Sequence, residues 1–190
     1  MARDAEESRE RILDAALTEF AERGIAGARV DRIAAEAGLS KGLIYTHFGS
    51  KDDLFDAVFD SIVERTLTEM PIDADDLPEY AGRLFDSYVA HPEVPRIAIW
   101  HRLERATTGS VIPSIVASSE QKIAAIRDAQ ERGVVSQRFT AEQLFLLVLT
   151  ISIMWSSSSG EMVELATGPG DVNTFRRQTV VDAVRRLVTE

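Results

Sequence analysis

The chain contains no cysteine, which removes disulfides, thiol catalysis and cysteine-based zinc sites and fits a reducing, cytoplasmic setting. It also has no membrane-length apolar run. Leu144 to Trp155 is interrupted only by Thr150 and Ser152, but its 12 positions fall short of the roughly 20 that span a bilayer. The opening MARDAEESRE is charged throughout, so no secretory signal and no membrane partner are expected. Histidine is scarce as well: His47, His91 and His101 show no paired spacing, so neither a metal nor another cofactor is expected. A nucleophile elbow, a phosphate loop and a dinucleotide fingerprint are all missing, and with them the usual grounds for an enzyme.

Net positive charge is the last shortage. The formal charge is −10, which taken alone argues against nucleic acid because phosphate neutralisation requires Lys and Arg. Distribution matters more than the sum. Residues 1–55 carry a net −3, yet Gly38 to Lys51 contains no acid and holds Lys41, His47 and Lys51. One local surface therefore remains suited to phosphate.

Helical periodicity is abundant, and it points to an all-α chain of 190 residues built of about nine helices. Ile12, Leu13, Ala16, Leu17 and Phe20 form one stripe, with Asp4 and Glu7 placed as a capping box and Gly24 as a stop. Val30, Ile33, Ala34 and Ala37 make a second helix of barely two turns ending at Gly38. Ser40 reads as the N-cap of a third, with Leu39 and Ile44 as a hydrophobic staple and Gly49 as the break. Ser50 and Asp53 then cap a long helix carrying Leu54, Phe55, Val58, Phe59, Ile62 and Val63, which stops near Met70 before Pro71. Further helices are expected at about 75–90, 94–106, 113–132, 140–166 and 172–189, separated at Pro92 to Pro95, Gly109 to Pro113, Gly133 and Gly168-Pro169-Gly170. Leu146 to Met154 is rich enough in Val, Leu and Ile for a strand, but length and the preceding Thr140 favour helix.

Two short helices joined by a tight turn at Gly38-Leu39-Ser40 have the lengths of a helix-turn-helix, whose second helix enters the DNA major groove. Spacing alone fits many helix pairs. The residues are more specific: Phe20-Ala-Glu-Arg-Gly24, then Ile33-Ala-Ala-Glu-Ala-Gly-Leu-Ser-Lys-Gly42, then Tyr45-Thr-His-Phe-Gly-Ser-Lys51 resemble the TetR/AcrR repressor family over roughly residues 8–59. The resemblance implies a ligand-responsive repressor that binds a palindromic double-stranded DNA operator as a homodimer and is released by a small apolar or aromatic effector. It implies a DNA-binding head at 1–50 and a ligand-sensing and dimerising body at 51–190.

Carried over by position, Ser40, Lys41, Gly42, Leu43, Tyr45, Thr46 and His47 would face DNA, with Lys51 and the start of its helix turned to phosphate. Ile44 and Phe48 supply the inward positions. Where family members place a helix-capping Thr or Ser, this chain has Ala28 and Arg29, so Arg29 is expected to replace the phosphate contact while losing the cap, with Arg32 a lesser candidate. Leu43 stands where the family often has a small residue; it can meet a thymine methyl but makes no bidentate base contact.

In the body, Leu144, Leu147, Val148 and Ile151 recur at helical spacing, as do Val181, Val184, Leu187 and Val188. They read either as a four-helix dimer interface or as an ordinary core. Phe85, Tyr88, Trp100, His101, Met154 and Trp155 read either as an effector pocket or as core. The acidic total and the Ala28 departure also leave open a helical interaction module without DNA binding.

Overall fold

The computed structural model describes residues 2–105, 111–167 and 171–189, and among them every regular element is a helix. In order they are α1 (Ala2–Gly27), α2 (Val30–Ala37), α3 (Lys41–Phe48), α4 (Lys51–Glu69), α5 (Leu77–Ala90), α6 (Glu93–Arg105), α7 (Pro113–Glu131), α8 (Ala141–Ser157), α9 (Gly160–Ala166) and α10 (Val172–Val188). The apolar stretch Leu146 to Met154 is helix inside α8. The breaks expected at Gly109 and at Gly168-Pro169-Gly170 lie outside the described residues.

Two expectations are corrected. Helix α1 begins at Ala2, so Asp4 lies in its first turn and does not open a capping box with Glu7. The single helix expected at 140–166 is broken into α8 and α9, because the hydroxyls of Ser157 and Ser158 donate to the Met154 carbonyl and Ser159 caps the next helix through the Met162 N–H. Four consecutive serines offer the backbone local bonds that compete with helix continuation. That break raises the count of described helices to ten.

The chain packs as two compact units. The first comprises Met1–Arg65 and Glu93–Val116, the second Thr66–Pro92 and Ala117–Glu190, so α4 and α7 each contribute residues to both. The head expected at 1–50 falls within the first unit, which also takes in much of α4 and all of α6.

In the first unit, Ile12, Ala16 and Phe20 of α1 meet Ile33 of α2, Ile44 of α3, Leu54, Phe55 and Val58 of α4 and Ile97 of α6. Phe20 and Phe55 pack edge-to-face with ring centroids 5.1 Å apart. Each such fully buried side chain contributes about 1.5–3 kcal/mol, which holds two-turn helices that would not persist alone. Gly24 interrupts α1 with φ +70°, and a Cβ there would fall 2.8 Å from Trp100 Cε3 of α6. The Trp100 indole N–H donates to the Ala21 carbonyl at 3.2 Å, seating α6 on α1 at this bend.

In the second unit, α5 packs on α8 and α10 around Leu77, Tyr80, Leu84, Phe85, Ile126, Leu144, Val148, Val180 and Val184. Thr140 and Gln143 form a complete capping box at the start of α8. Arg177 of α10 bonds both Glu79 and Asp86 of α5, lying across Gly82, where a Cβ would come within 2.9 Å of its guanidinium. Among the described residues no single helix is long and apolar enough to cross a membrane.

Candidate nucleic-acid interface

The α2–turn–α3 segment is built by its punctuation. Gly38 closes α2 in the left-handed region (φ +64°, ψ +35°), and its N–H with that of Leu39 satisfies the last α2 carbonyls. Arg11 of α1 donates to the Ala37 carbonyl and lies 2.7 Å from where a Gly38 Cβ would be; the left-handed torsion favours glycine, and a larger residue would also have to displace this guanidinium. Ser40 then caps α3, its hydroxyl accepting the Leu43 N–H at 3.2 Å. Leu39 and Ile44 pack into the same core as the staple requires.

This geometry turns Ile44 inward, leaves Leu43, His47 and Phe48 half-buried, and exposes Ser40, Lys41, Gly42, Tyr45 and Thr46 on one face. Tyr45 is 43% exposed, a large aromatic held out of the core. A Cβ at Gly42 would meet nothing closer than Ser40 Oγ at 3.9 Å, so the backbone there is open to close approach. Thr46 donates its hydroxyl to the Gly42 carbonyl at 2.9 Å, which turns the hydroxyl back toward the helix and leaves the oxygen lone pairs to accept.

The cations differ in how far the protein already uses them. Arg29, at the N-cap of α2, makes no side-chain cap, and among the described residues its guanidinium makes no hydrogen bond or close ion pair, its charge acting on Asp31 only at longer range. Its backbone N–H goes instead to the buried carboxylate of Glu19 at 2.9 Å, which also binds Arg32 Nε at 2.8 Å. Burial pushes the Glu19 carboxyl up, but the Arg32 guanidinium and the Arg29 N–H together hold it below the ordinary glutamate value. Arg32 is thus committed to Glu19 and to the Gly27 carbonyl. Lys41 pairs with Asp31 of α2 at 2.9 Å, and that bond raises the lysine and lowers the aspartate from their usual values. Lys51 donates to the Ala28 carbonyl at 3.2 Å and reaches that of Ala26 at 3.4 Å, tying α4 to the α1–α2 connection.

The start of α4 departs from a simple phosphate site. Ser50 accepts the Asp53 N–H at 3.0 Å and donates its hydroxyl to the Asp53 carboxylate at 2.6 Å, while its own N–H is taken by Phe48. With Asp52 and Asp53 in the first turn, the helix dipole is already answered by the chain's own carboxylates.

The remaining candidate positions divide between the units. Trp100 and His101 belong to α6 in the first unit; His101 stacks on Phe55 with centroids 6.2 Å apart and approaches Phe59 at 5.1 Å. Phe85, Tyr88, Met154 and Trp155 belong to the second, where Phe85 is core and Tyr88 and Trp155 pack against it. Burial pushes the Tyr88 hydroxyl up to about 12. Of the dimer candidates, Leu144, Val148, Val181 and Val184 are buried within the chain itself. Leu147, Ile151, Leu187 and Val188 are half-buried, and the outward apolar positions are Leu146 on α8 (64% exposed) and Val172 and Phe175 on α10.

Comparison with known proteins matches these features. Residues 12–58 fit the model of bacterial regulatory proteins of the tetR family, and residues 76–186 that of the tetracyclin repressor-like C-terminal domain. The transcriptional repressor SCO4008 of Streptomyces coelicolor is 39% identical over 191 residues, covering 98% of both chains. The chain belongs to the TetR family. The repressor NicS of Pseudomonas putida is 26% identical over 83% of this chain and 79% of its own. Among solved structures, the transcriptional regulator SCO4942 of Streptomyces coelicolor superposes with a TM-score of 0.82 at 35% identity, over 95% of this chain and 98% of that one. The protein is therefore a TetR-family transcriptional repressor, a DNA-binding regulator and not an enzyme.

Several residues that hold this TetR-family head in shape escaped the reading of its sequence. Glu19 substitutes from α1 for the missing cap of α2. Glu104 of α6 accepts the N–H groups of Ile25 at 3.1 Å and Ala26 at 2.8 Å just beyond the Gly24 bend. Arg105, buried, binds Asp56 and Asp52 of α4 and lies over the Phe55 ring at 4.7 Å. Their positions carried a signal: Glu19 lies beside the stripe of Ile12, Ala16 and Phe20, and Arg105 shares a helical face with Ile97 and His101.

Proposed function

We propose that this TetR-family repressor binds a palindromic operator as a homodimer through α3 and is released when its body takes up a small apolar or aromatic effector. Residues 1–50 serve as the DNA-binding domain and 51–190 as the sensing and pairing domain. The observation that carries the reading is the Ser40-capped α3, which buries Ile44 and exposes Lys41, Gly42, Tyr45 and Thr46 together. Gly42 admits the DNA backbone closely, Tyr45 and His47 hydrogen-bond phosphates, and Leu43 and Thr46 meet base edges. Arg29 is the cation best placed for phosphate because among the described residues its guanidinium is held by no hydrogen bond or close ion pair. Lys41 binds phosphate by exchanging Asp31, and Lys51 keeps its third ammonium proton for the same purpose.

A palindrome requires two heads about a two-fold axis, with half-sites roughly 34 Å apart. Leu146, Leu147 and Ile151 of α8 and Leu187 and Val188 of α10 are the pairing positions left by the burial of the others. Of the effector candidates, Phe85, Tyr88, Met154 and Trp155 share the second unit and are the effector contacts there, and α4, which begins at the head, carries the displacement. The reading places the repressor in the bacterial cytoplasm with its DNA.

Gel shift with operator fragments recovered from the source genome tests it. Binding should fall steeply with salt, and Arg29→Ala should weaken every sequence alike, whereas Thr46→Ala should change sequence preference. Salt-independent binding, or operator affinity unmoved by every ligand the protein binds, overturns it.

A further inference from the structure

Helix α7 carries two buried polar side chains with opposite fates. Gln130 is satisfied by the chain, donating to the carbonyls of Ser136 at 3.0 Å and Phe139 at 2.8 Å. Lys122, two turns earlier, is only 8% exposed and has no hydrogen bond or ion pair among the described residues. The other cations of the second unit show what a structural role looks like. Arg177 holds Glu79 and Asp86, Arg132 holds Asp75 and Asp128, and Arg127 holds Glu142. Lys122 is the most buried cation of the unit and has no carboxylate partner, and burial pushes its ammonium below the ordinary lysine value.

Two further donors of the same unit lack an acceptor among the described residues, and their polar atoms are buried outright. Tyr80 of α5 is fully buried with its hydroxyl unpartnered, and Trp155 of α8 has a buried indole N–H without an acceptor. Both side chains belong to the apolar cluster that also contains Ile126, one turn beyond Lys122 on the same face of α7. A unit whose α7 carries an unpaired ammonium and whose core holds a phenol and an indole N–H with no acceptor is complementary to a molecule that supplies acceptors and negative charge. The surrounding Phe85, Leu84, Ile123, Ile126 and Val148 are complementary to an apolar body.

We propose that the effector of this repressor is an apolar or aromatic molecule bearing an acidic head group, with Lys122 as its counter-charge and Tyr80 Oη and Trp155 Nε1 as neutral donors. This rests on the reading of the second unit as the effector-binding body. It narrows the ligand class from apolar compounds in general to organic acids, and excludes apolar cations.

A matched pair of fluorescent probes tests it on the full chain: 1-anilinonaphthalene-8-sulfonate and N-phenyl-1-naphthylamine, which share the aromatic body and differ in the sulfonate. Lys122→Met should weaken the sulfonate by about 10- to 100-fold, as loss of a charge-assisted hydrogen bond does. The same variant should change the neutral probe by less than about 3-fold, the scale of ordinary repacking. Lys122→Arg should retain most of the sulfonate affinity, and Tyr80→Phe should weaken the sulfonate more than the neutral probe. No sulfonate binding by the unaltered protein, or a Lys122→Met effect that is absent or equal for both probes, overturns the proposal. Operator release is scored separately by gel shift. Lysine-dependent sulfonate binding without release keeps the site and removes its role as effector site, whereas release by a ligand indifferent to Lys122→Met does the reverse.

Discussion

The two units differ in how fully they satisfy their buried polar groups. In the first, Glu19, Glu104 and Arg105 all terminate on partners within the unit, and the polar side chains of α3 are held at the surface. In the second, Gln130 and Ser152 are satisfied, but among the described residues Tyr80 Oη and Trp155 Nε1 are buried without a partner and the largely buried Lys122 has no ion pair. A surface that must present side chains in fixed register to DNA gains from a fully satisfied interior, because each satisfied group fixes a helix in place. An interior that must receive a molecule retains unsatisfied groups, at a cost in stability that the ligand offsets. His101 is the exception in the first unit, its buried Nε2 unpartnered against Phe55 and Phe59.

The largest expected effect breaks the first unit outright. Phe20→Ala removes a fully buried ring from the Phe55 contact and should destabilise the chain by about 3–5 kcal/mol in urea unfolding, with operator binding lost in parallel. A variant with unchanged urea midpoint would show that this core does not hold the head. Glu19→Ala leaves the Arg29 N–H and the Arg32 guanidinium without their acceptor, and should cost about 1–3 kcal/mol. Thermal unfolding checks it; a loss no larger than that of an exposed Glu22→Ala control would mean that the carboxylate is not acting as the substitute cap.

The second unit should respond with the opposite sign. Tyr80→Phe removes an unpartnered hydroxyl and Lys122→Met an unpartnered charge, so each should raise the stability of the ligand-free protein by about 1 kcal/mol. A melting temperature that falls in both would show that the groups have partners, and would erase the contrast between the units.

The smallest effect is a pH dependence. Burial, and then the nearby Arg105, hold His101 below its ordinary 6.5, with Asp56 opposing. The unfolded chain therefore binds a proton more readily than the folded one, and stability falls as pH drops from 6.5 toward the folded value. The slope is at most about 1.4 kcal/mol per pH unit. His101→Phe should flatten that part of the stability profile; an unchanged profile would assign the slope to other groups.

The local features of the head were legible because they are written in short-range chemistry. Gly38, Ser40, Gly49 and Ser50 act through torsions and hydrogen bonds to residues at most five positions away. The serine run at 156–159 belonged to the same class of signal but was outweighed by the apolar periodicity on either side of it. Less of the body was legible. Helical spacing marks which residues share a face, and it placed Leu144 and Val148 correctly on one stripe of α8. It does not say which neighbour that stripe meets, and here the neighbours are α5 and α10 of the same chain.

The sequence by itself determined the helical class, the head with its Ser40-capped recognition helix, the missing cap at Ala28 and the family. Each follows from residues near one another in the chain. Only the tertiary structure decided which charges are already used. Lys41 meets Asp31 across a turn, Lys51 reaches the carbonyls of Ala28 and Ala26 from 23 and 25 residues away, and Lys122 has no carboxylate partner among the described residues. Electrostatic partnership depends on distance in space and on burial, and neither is set by local spacing.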